Sequence, residues 1–431
     1  MNPNNSVVSS VIKNYKYTQN AFLPKELDIS LSQESDLKYR SVVKTGDKVK
    51  EGDIIARVTD SSDVTSYIHS SVPGTVMDIA PCFSPDGKQD FAIKIKFGGS
   101  FNYLGKKTKE TDTEYLTSST IIQNLLDKGV INTFYTSKPV NLGSQIKQNN
   151  EFKNLIVRLY DEDPYRITDS LITKFYHKEI IKGAEVLAKA INASGIIFAI
   201  DQKFEHKEFF DEVNMANFRL LEMNIKKYPC GTPREITSAF KRSGMKKACN
   251  FEITKKDLFT DASTVYEVYK AGVCSIPSIS KMVHFSGNCL YSSCLLDVRI
   301  GTPIKDIVSQ IGGFSKQPAK IVINGSICGT SVQSMNVPIT KYVKSVEFIS
   351  NHKITDTQIY SCVNCGNCRF ICPVKISPDI LYNNTVNFKF LPENFAASSM
   401  ACIECGLCNT VCPSRLPLSQ TITYIKENLK N

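Results

Sequence analysis

Two stretches near the C-terminus are near copies of one another: Cys362-Val-Asn-Cys365-Gly-Asn-Cys368-Arg-Phe-Ile-Cys372-Pro373 and Cys402-Ile-Glu-Cys405-Gly-Leu-Cys408-Asn-Thr-Val-Cys412-Pro413. They hold eight of the fifteen cysteines in 431 residues. Three thiols two residues apart can wrap one corner of a polynuclear metal centre from a short loop. A fourth, followed at once by proline, is directed away from its own loop. Zinc prefers two separate pairs of cysteines, and a disulfide framework needs an oxidising compartment, which nothing in this sequence signals.

The spacing C-x2-C-x2-C-x3-C-P, written twice, is that of bacterial dicluster ferredoxins, in which the fourth cysteine of each motif ligates the other cluster. It predicts one [4Fe–4S] cluster on Cys362, Cys365, Cys368 and Cys412 and a second on Cys402, Cys405, Cys408 and Cys372. One-electron transfer is the function it points to. Gly366 and Gly406 lie inside the ligand loops, where a missing side chain lets backbone N–H groups approach cluster sulfurs. Arg369, Lys375 and Arg415 are the nearby cations expected to stabilise the anionic centres.

Outward from these motifs, the chain has the length of roughly three domains and the composition of a soluble globular protein, 42% hydrophobic and 22% charged. The first ten residues lack a charged start followed by a long apolar run, so no signal peptide is expected. The longest apolar run, Gly195–Ile200, is the length of a strand, not of the ~20 residues that cross a bilayer. A net charge of +10 favours acidic partners. The lysines are scattered and form no basic stripe, which argues against nucleic acid. The other seven cysteines, Cys82, Cys230, Cys249, Cys274, Cys289, Cys294 and Cys328, show no ligand spacing and are expected to be small buried hydrophobes.

Residues 39–97 read as short strands turning on Gly46 and Gly52, with Val72-Pro-Gly74-Thr-Val76 beyond them. This pattern resembles a lipoyl- or biotinyl-type hammerhead, the barrel-sandwich hybrid. Arg57–Thr65, where such a carrier displays its lysine, has none, so the module is expected to be structural and His69 to be a packing residue. After a polar stretch at 99–115, read as a linker, helices and strands alternate. Ser118–Gly129 reads as a capped helix, Asn154–Tyr160 as a strand, Glu179–Ile191 as an amphipathic helix and Gly195–Ile200 as a strand, which implies a largely parallel sheet. Between 280 and 350, strand patterns around Lys281–Gly287, Val298–Pro303, Lys320–Gly325 and Val337–Phe348 flank a helix, Ile304–Ile311, stopped by Gly312-Gly313. They suggest a β-grasp-like unit in which His284 is filler.

This order of modules, with Tyr228-Pro-Cys-Gly231, Val298-Arg-Ile-Gly-Thr-Pro303 and Ile323-Asn-Gly-Ser-Ile-Cys-Gly329, resembles the RnfC family, one of the subunits of the Rnf electron-transport complex. The resemblance runs from about residue 40 to the C-terminus and is shared more distantly with the flavoprotein subunit of respiratory complex I. It implies an α/β multidomain chain in four parts: a barrel-sandwich hybrid with an N-terminal extension (1–105), a Rossmann-like flavoprotein-type α/β domain (115–270), an SLBB β-grasp-like domain (278–350) and an α-helical ferredoxin-type dicluster domain (355–431). It implies a peripheral place on the cytoplasmic side of the inner membrane, held there by the other Rnf subunits, and exchange with an acidic ferredoxin or flavodoxin. FMN and NADH would belong to the middle domain. Here the sequence departs from the family. The glycine-dense phosphate loop keeps one glycine, Gly129, in Lys128–Pro139, and the second flavin strand, normally rich in small residues before two glutamates, reads Arg158-Leu-Tyr-Asp161-Glu-Asp163-Pro164. Bulky side chains there would fill the space a phosphate needs, so the FMN/NADH pocket is expected to be lost. The rival readings are a flavin-dependent NADH or ferredoxin oxidoreductase with an unusual loop and a cobalamin-reductase-like microcompartment protein.

Overall fold

The structure is a computed structural model and describes residues 19–59, 64–149, 151–210, 218–245, 251–351, 358–387 and 392–429. The chain divides into two compact units, Met1–Ile349 and Ser350–Asn431.

The first unit begins with a strand-rich module. A sheet of four strands in the order Glu26–Ser30, Gln89–Phe97, Gly74–Phe83 and Lys48–Val49 shares one core with a three-stranded sheet, Tyr39–Ser41, Ile54–Val58 and Tyr67–His69. Period-two alternation sends Leu27, Ile29, Ile93 and Ile95 into that core. Gly74 starts its strand so close to the neighbouring one that a Cβ would lie 2.2 Å from the Lys96 carbonyl oxygen. Most of the tip between Arg57 and Thr65, residues 60–63, lies outside the described residues.

Next comes a wholly parallel four-stranded sheet, ordered Phe218–Met223, Gly195–Asp201, Asn154–Arg158 and Leu258–Asp261. Its strands are apolar on both faces because both are covered. Leu155, Val157, Ile196 and Phe198 pack with Ile180, Ala184 and Leu187 of the helix His177–Ala190. Ile156, Ile197 and Leu221 pack with Ile236 and Phe240 of the helix Pro233–Arg242. Thr117 caps the helix Ser118–Asp127 by accepting a hydrogen bond from the Thr120 N–H.

The unit ends in a six-stranded mixed sheet packed on the helix Ile304–Gln310. Its edge strand comes from the other end of the chain: Gln19–Asn20 runs parallel to Leu296–Asp297. The N-terminal extension, assigned from sequence to the barrel-sandwich part, thus also completes this sheet. Ile300 reaches into the barrel-sandwich core, and Arg299 pairs with Glu51 at 2.9 Å. A buried ionic seam joins the parallel and mixed sheets. Lys344 Nζ lies 2.8 Å from Asp169 Oδ2 and 2.6 Å from Asp261 Oδ2. Burial alone would raise the Asp261 carboxyl, but the Lys344 ammonium and the Arg158 guanidinium outweigh it and hold it well below the usual carboxylate range. The stretch read as a linker docks in part on this unit: Lys182 pairs with Glu110, and the Thr111 N–H bonds to the Val273 carbonyl.

The second unit is built of short helices, Asn367–Ile371, Pro378–Tyr382, Glu393–Ser398 and Leu407–Thr410, followed by the longer Leu418–Asn428. Among the described residues no helix is long and apolar enough to cross a membrane.

Candidate metal centres

The two cysteine motifs repeat in backbone conformation at an interval of forty residues. Asn364 and Glu404 have φ of 53° and 57°, Gly366 and Gly406 of 74° and 69°, and Lys375 and Arg415 of 58° and 55°. Each left-handed glycine opens a short helix that carries the third cysteine of its motif inward. The Gly366 carbonyl accepts from the Arg369 and Phe370 N–H groups, and that of Gly406 from Asn409 and Thr410. The cysteine-proline pair then turns the chain away.

This double turn produces two hollows. One, of about 310 Å³ counted out to open solvent, is lined by Cys362, Cys365, Cys368 and Cys412, with Val363, Leu416 and Leu418. The other, of about 330 Å³, is lined by Cys372, Cys402, Cys405 and Cys408, with Ile376, Leu407 and Ile422. Each therefore receives three cysteines from one motif and the fourth from the other. Cys368, Cys372 and Cys408 are buried, Cys362, Cys402, Cys405 and Cys412 half-buried, and Cys365 exposed. Burial pushes the Cys368 and Cys405 thiols up to about 11 and Cys408 up to about 12. The thiolate forms in such apolar walls depend on a metal's positive charge. Among the described residues no three His, Cys, Asp or Glu side chains close in to the spacing of a single ion. A cubane, which holds its thiolates at the corners of a box, spreads them wider. Each hollow is offered four sulfur donors, and the one carboxylate that lines the first, Asp379, is taken by Arg369, which suits iron–sulfur centres.

The cations around the hollows differ from the sequence expectation. Arg369 forks onto Asp379, at 2.7 Å and 2.5 Å, so its charge is met by a carboxylate. In the second motif Asn409 holds the matching place and accepts from the Ser419 N–H. Lys375 donates to the Phe370 carbonyl. Lys426, which the sequence reading missed, is the buried cation: its ammonium donates to the Cys402 carbonyl at 2.9 Å and to Glu404 at 2.6 Å. The signal was present, since Lys426 follows Leu418 and Ile422 at four-residue steps on the apolar face of its helix.

The residues tied by resemblance to a flavin pocket are occupied in packing. Gly129 closes its helix at φ +65°, and a Cβ there would lie 2.5 Å from the Tyr67 carbonyl oxygen and 2.6 Å from Lys341 Nζ. Asp161 accepts from Arg166 and from the Asp169 and Ser170 N–H groups, capping the helix Thr168–Phe175. Asp163, fully buried, accepts from the N–H groups of Tyr165, Ile327 and Cys328. Arg158 is fully buried with its guanidinium 4.2 Å over the Phe134 ring, and it donates to the Gly231 and Phe134 carbonyls.

Of the other cysteines, Cys230, Cys274 and Cys289 are buried. Cys82, Cys294 and Cys328 are half-buried, a correction to the expectation that all would be buried. Cys82 lies toward the end of its strand, where burial is shallow, and Cys328 sits in the turn clamped by Asp163, its sulfur 3.0 Å from the Tyr228 hydroxyl. Cys249 lies outside the described residues. His69 and His284 are buried within their sheets, and burial lowers them to about 3 and about 4.

Comparison with known proteins follows the same division. Residues 11–100 match the RnfC barrel sandwich hybrid domain and residues 361–416 the 4Fe-4S dicluster domain. The chain is 23% identical over 384 residues to a subunit of the proton-translocating ferredoxin:NAD(+) oxidoreductase complex of Clostridium ljungdahlii, spanning 85% of this chain and 81% of that one. It is 23% identical to the corresponding subunit of the ion-translocating oxidoreductase complex of Rhodobacter capsulatus, over 83% of this chain and 69% of that one. It is 20% identical to the Na(+)-translocating counterpart of Acetobacterium woodii, over 82% and 80%. Among solved structures, an NAD+-reducing [NiFe]-hydrogenase superposes with a TM-score of 0.46 at 12% identity, over 73% of this chain and 62% of that one. With the barrel-sandwich match at one end, the dicluster match at the other and relatives aligned through the span between, the chain is a homologue of the RnfC subunits of ion-translocating oxidoreductases.

Proposed function

We propose that this chain is the electron-transfer subunit of an Rnf-type, membrane-associated ion-translocating oxidoreductase complex and passes electrons through two [4Fe–4S] clusters. The observation that carries this is the pair of hollows, each lined by four cysteines drawn three and one from the two motifs. Cys362, Cys365, Cys368 and Cys412 hold the first cluster, and Cys402, Cys405, Cys408 and Cys372 the second. The clusters supply reversible one-electron chemistry, while the protein supplies thiolates, apolar walls and backbone N–H groups around them. No acid or base is required, because an electron passes without a proton.

In this reading the parallel-sheet region is a Rossmann-like, flavoprotein-type domain that no longer holds FMN or NADH, and the mixed sheet is its SLBB β-grasp companion. Support comes from Arg158 and Tyr160, whose side chains are buried where small residues would leave a cleft, and from the commitment of Asp161 and Asp163 to packing. Other Rnf subunits anchor the chain at the cytoplasmic face of the membrane.

Iron, sulfide and flavin content of anaerobically purified protein tests both halves. About eight irons and eight sulfides per chain with no flavin are expected. Stoichiometric FMN on denaturation overturns the lost pocket, and zinc in place of iron overturns the function.

A further inference from the structure

The two cages differ at matched positions. Val363 is 64% exposed, while Ile403, its counterpart, is half-buried. Cys365 is exposed and Cys405 half-buried. The difference has a cause in the helices that follow the motifs. Leu418–Asn428 extends far enough for Lys426 to reach back over the second ligand loop, bonding the Cys402 carbonyl and Glu404. Forty residues earlier the corresponding residue is Val386, uncharged and itself exposed. The first loop receives no such tie from that position.

The rim of the first cage is also apolar, with one exposed cation beside it. Exposed Ile359 and Tyr360 stand beside it, and the Tyr360 N–H bonds to the carbonyl of Ser414, a residue lining the hollow. Exposed Arg415 follows the Cys412-Pro413 pair, as exposed Lys375 follows Cys372-Pro373 at the second cage, while the Arg369 guanidinium is paired with Asp379. From 358 to 382 the only acid is Asp379, which lines the first hollow but is buried and engaged by Arg369. Glu404 marks the second loop where the first has Asn364.

We infer that the Cys362–Cys365–Cys368–Cys412 cage is the port at which this chain exchanges electrons with an acidic carrier protein, docked on Val363, Tyr360 and Arg415, and that the Lys426-closed cage is the interior relay. The inference rests on the function proposed above and adds which end of the cluster pair faces the partner. One electron crosses at a time: the carrier is oxidised by one electron as the first cluster is reduced by one, or the reverse, and no bond or proton moves. Electron transfer falls steeply with distance, so the cage with an exposed ligand and the thinner cover is the one a docked redox group can reach. Opposite charge around such a contact raises the association rate.

The rival port is Phe370, 84% exposed. It lies two residues from Cys368, about 200° around a helical turn, and so on the side away from the first cage. Stopped-flow oxidation and reduction of the cluster-loaded chain by an acidic bacterial 2[4Fe–4S] ferredoxin, at several salt concentrations, separates the two. Val363→Glu and Arg415→Glu, with iron content and the reduced EPR spectrum of wild type, should each slow exchange about tenfold and flatten its salt dependence, whereas Phe370→Glu should change it less than about twofold. Should Val363→Glu lose iron, Arg415→Glu carries the test alone. The port is overturned if Arg415→Glu with full iron exchanges at the wild-type rate, or if Phe370→Glu slows exchange as much. A wild-type chain without clusters would instead overturn the function on which the inference rests, and iron analysis reads that separately.

Discussion

The cysteine motifs and the strand-end acids of the parallel sheet are both sequence patterns of a kind that binds cofactors, and the fold treats them in opposite ways. The eight motif cysteines line two hollows. Asp161 and Asp163, by contrast, each accept several hydrogen bonds, and their partners are a helix start and a turn more than 160 residues away in sequence. A residue free for chemistry leaves donors or acceptors facing a cavity. A residue spent on architecture has its lone pairs taken.

The sharpest way to break that contrast is Asp163→Ala. Three N–H groups lose their acceptor at a fully buried site, and Gly325, whose missing Cβ makes room for this carboxylate, is left beside a void. Unpaired buried donors cost ~1–3 kcal/mol each, so with water reaching part of the turn a loss of about 2–4 kcal/mol is expected. Denaturant unfolding followed by tyrosine fluorescence (the chain has 18 Tyr and no Trp) measures it, with iron content unchanged. Wild-type stability in this variant would mean that Asp163 is not a packing residue and would reopen the nucleotide reading.

How legible each region is in the sequence follows from the range of its interactions. The cysteine motifs are local, so spacing alone carried their three-and-one sharing. The parallel sheet was readable because both its faces are covered, leaving the run Gly195–Ile200 wholly apolar. The strand Gln19–Asn20 was not, since its partners are Leu296 and Asp297 and its own two residues are exposed. Nor could spacing show that Asp163 bonds to residues 327 and 328. The shallow positions of Cys82 and Cys294 depend on where each strand emerges from its sheet, which composition does not encode.

Within the cysteine unit, Lys426→Met sharpens the comparison on a smaller scale. The substitution keeps the apolar stem but removes an ammonium from the cysteine loop of one cage only. An anionic centre is easier to reduce beside a positive charge, so the second cluster's couple should move to lower potential while the first stays put. Glu404, its side chain 17% exposed, loses this ion pair, which costs about 1–2 kcal/mol and should show as faster iron release from that cage. Redox titration followed by EPR reads both. Equal displacement of the two couples would mean that Lys426 does not distinguish the cages.

Acid reaches the two regions by different routes, and His69→Gln separates them. In the cages acid protonates thiolates and releases iron. In the barrel-sandwich sheet it must charge a buried imidazole: burial first, then the Lys341 and Lys128 ammonium groups, lowers His69 from the ordinary 6.5 to about 3. The unfolded chain therefore takes up this proton below pH 6.5 while the folded chain refuses it until about pH 3. Stability is intact above 6.5 and falls through that window at up to ~1.4 kcal/mol per pH unit. His284, lowered to about 4, adds in the same direction, while Asp169, pushed up to about 6 by burial, and other carboxyls raised by burial, such as Glu34, oppose it, so the absolute slope mixes many groups. The difference between wild type and His69→Gln cancels the others. Between pH 6 and 4 the variant should lose stability less steeply, with the pH midpoint of iron release unchanged. An identical slope in the two proteins would mean that His69 finds a proton in the folded chain as easily as in water, and a shifted iron midpoint would mean that the two regions do not answer acid independently.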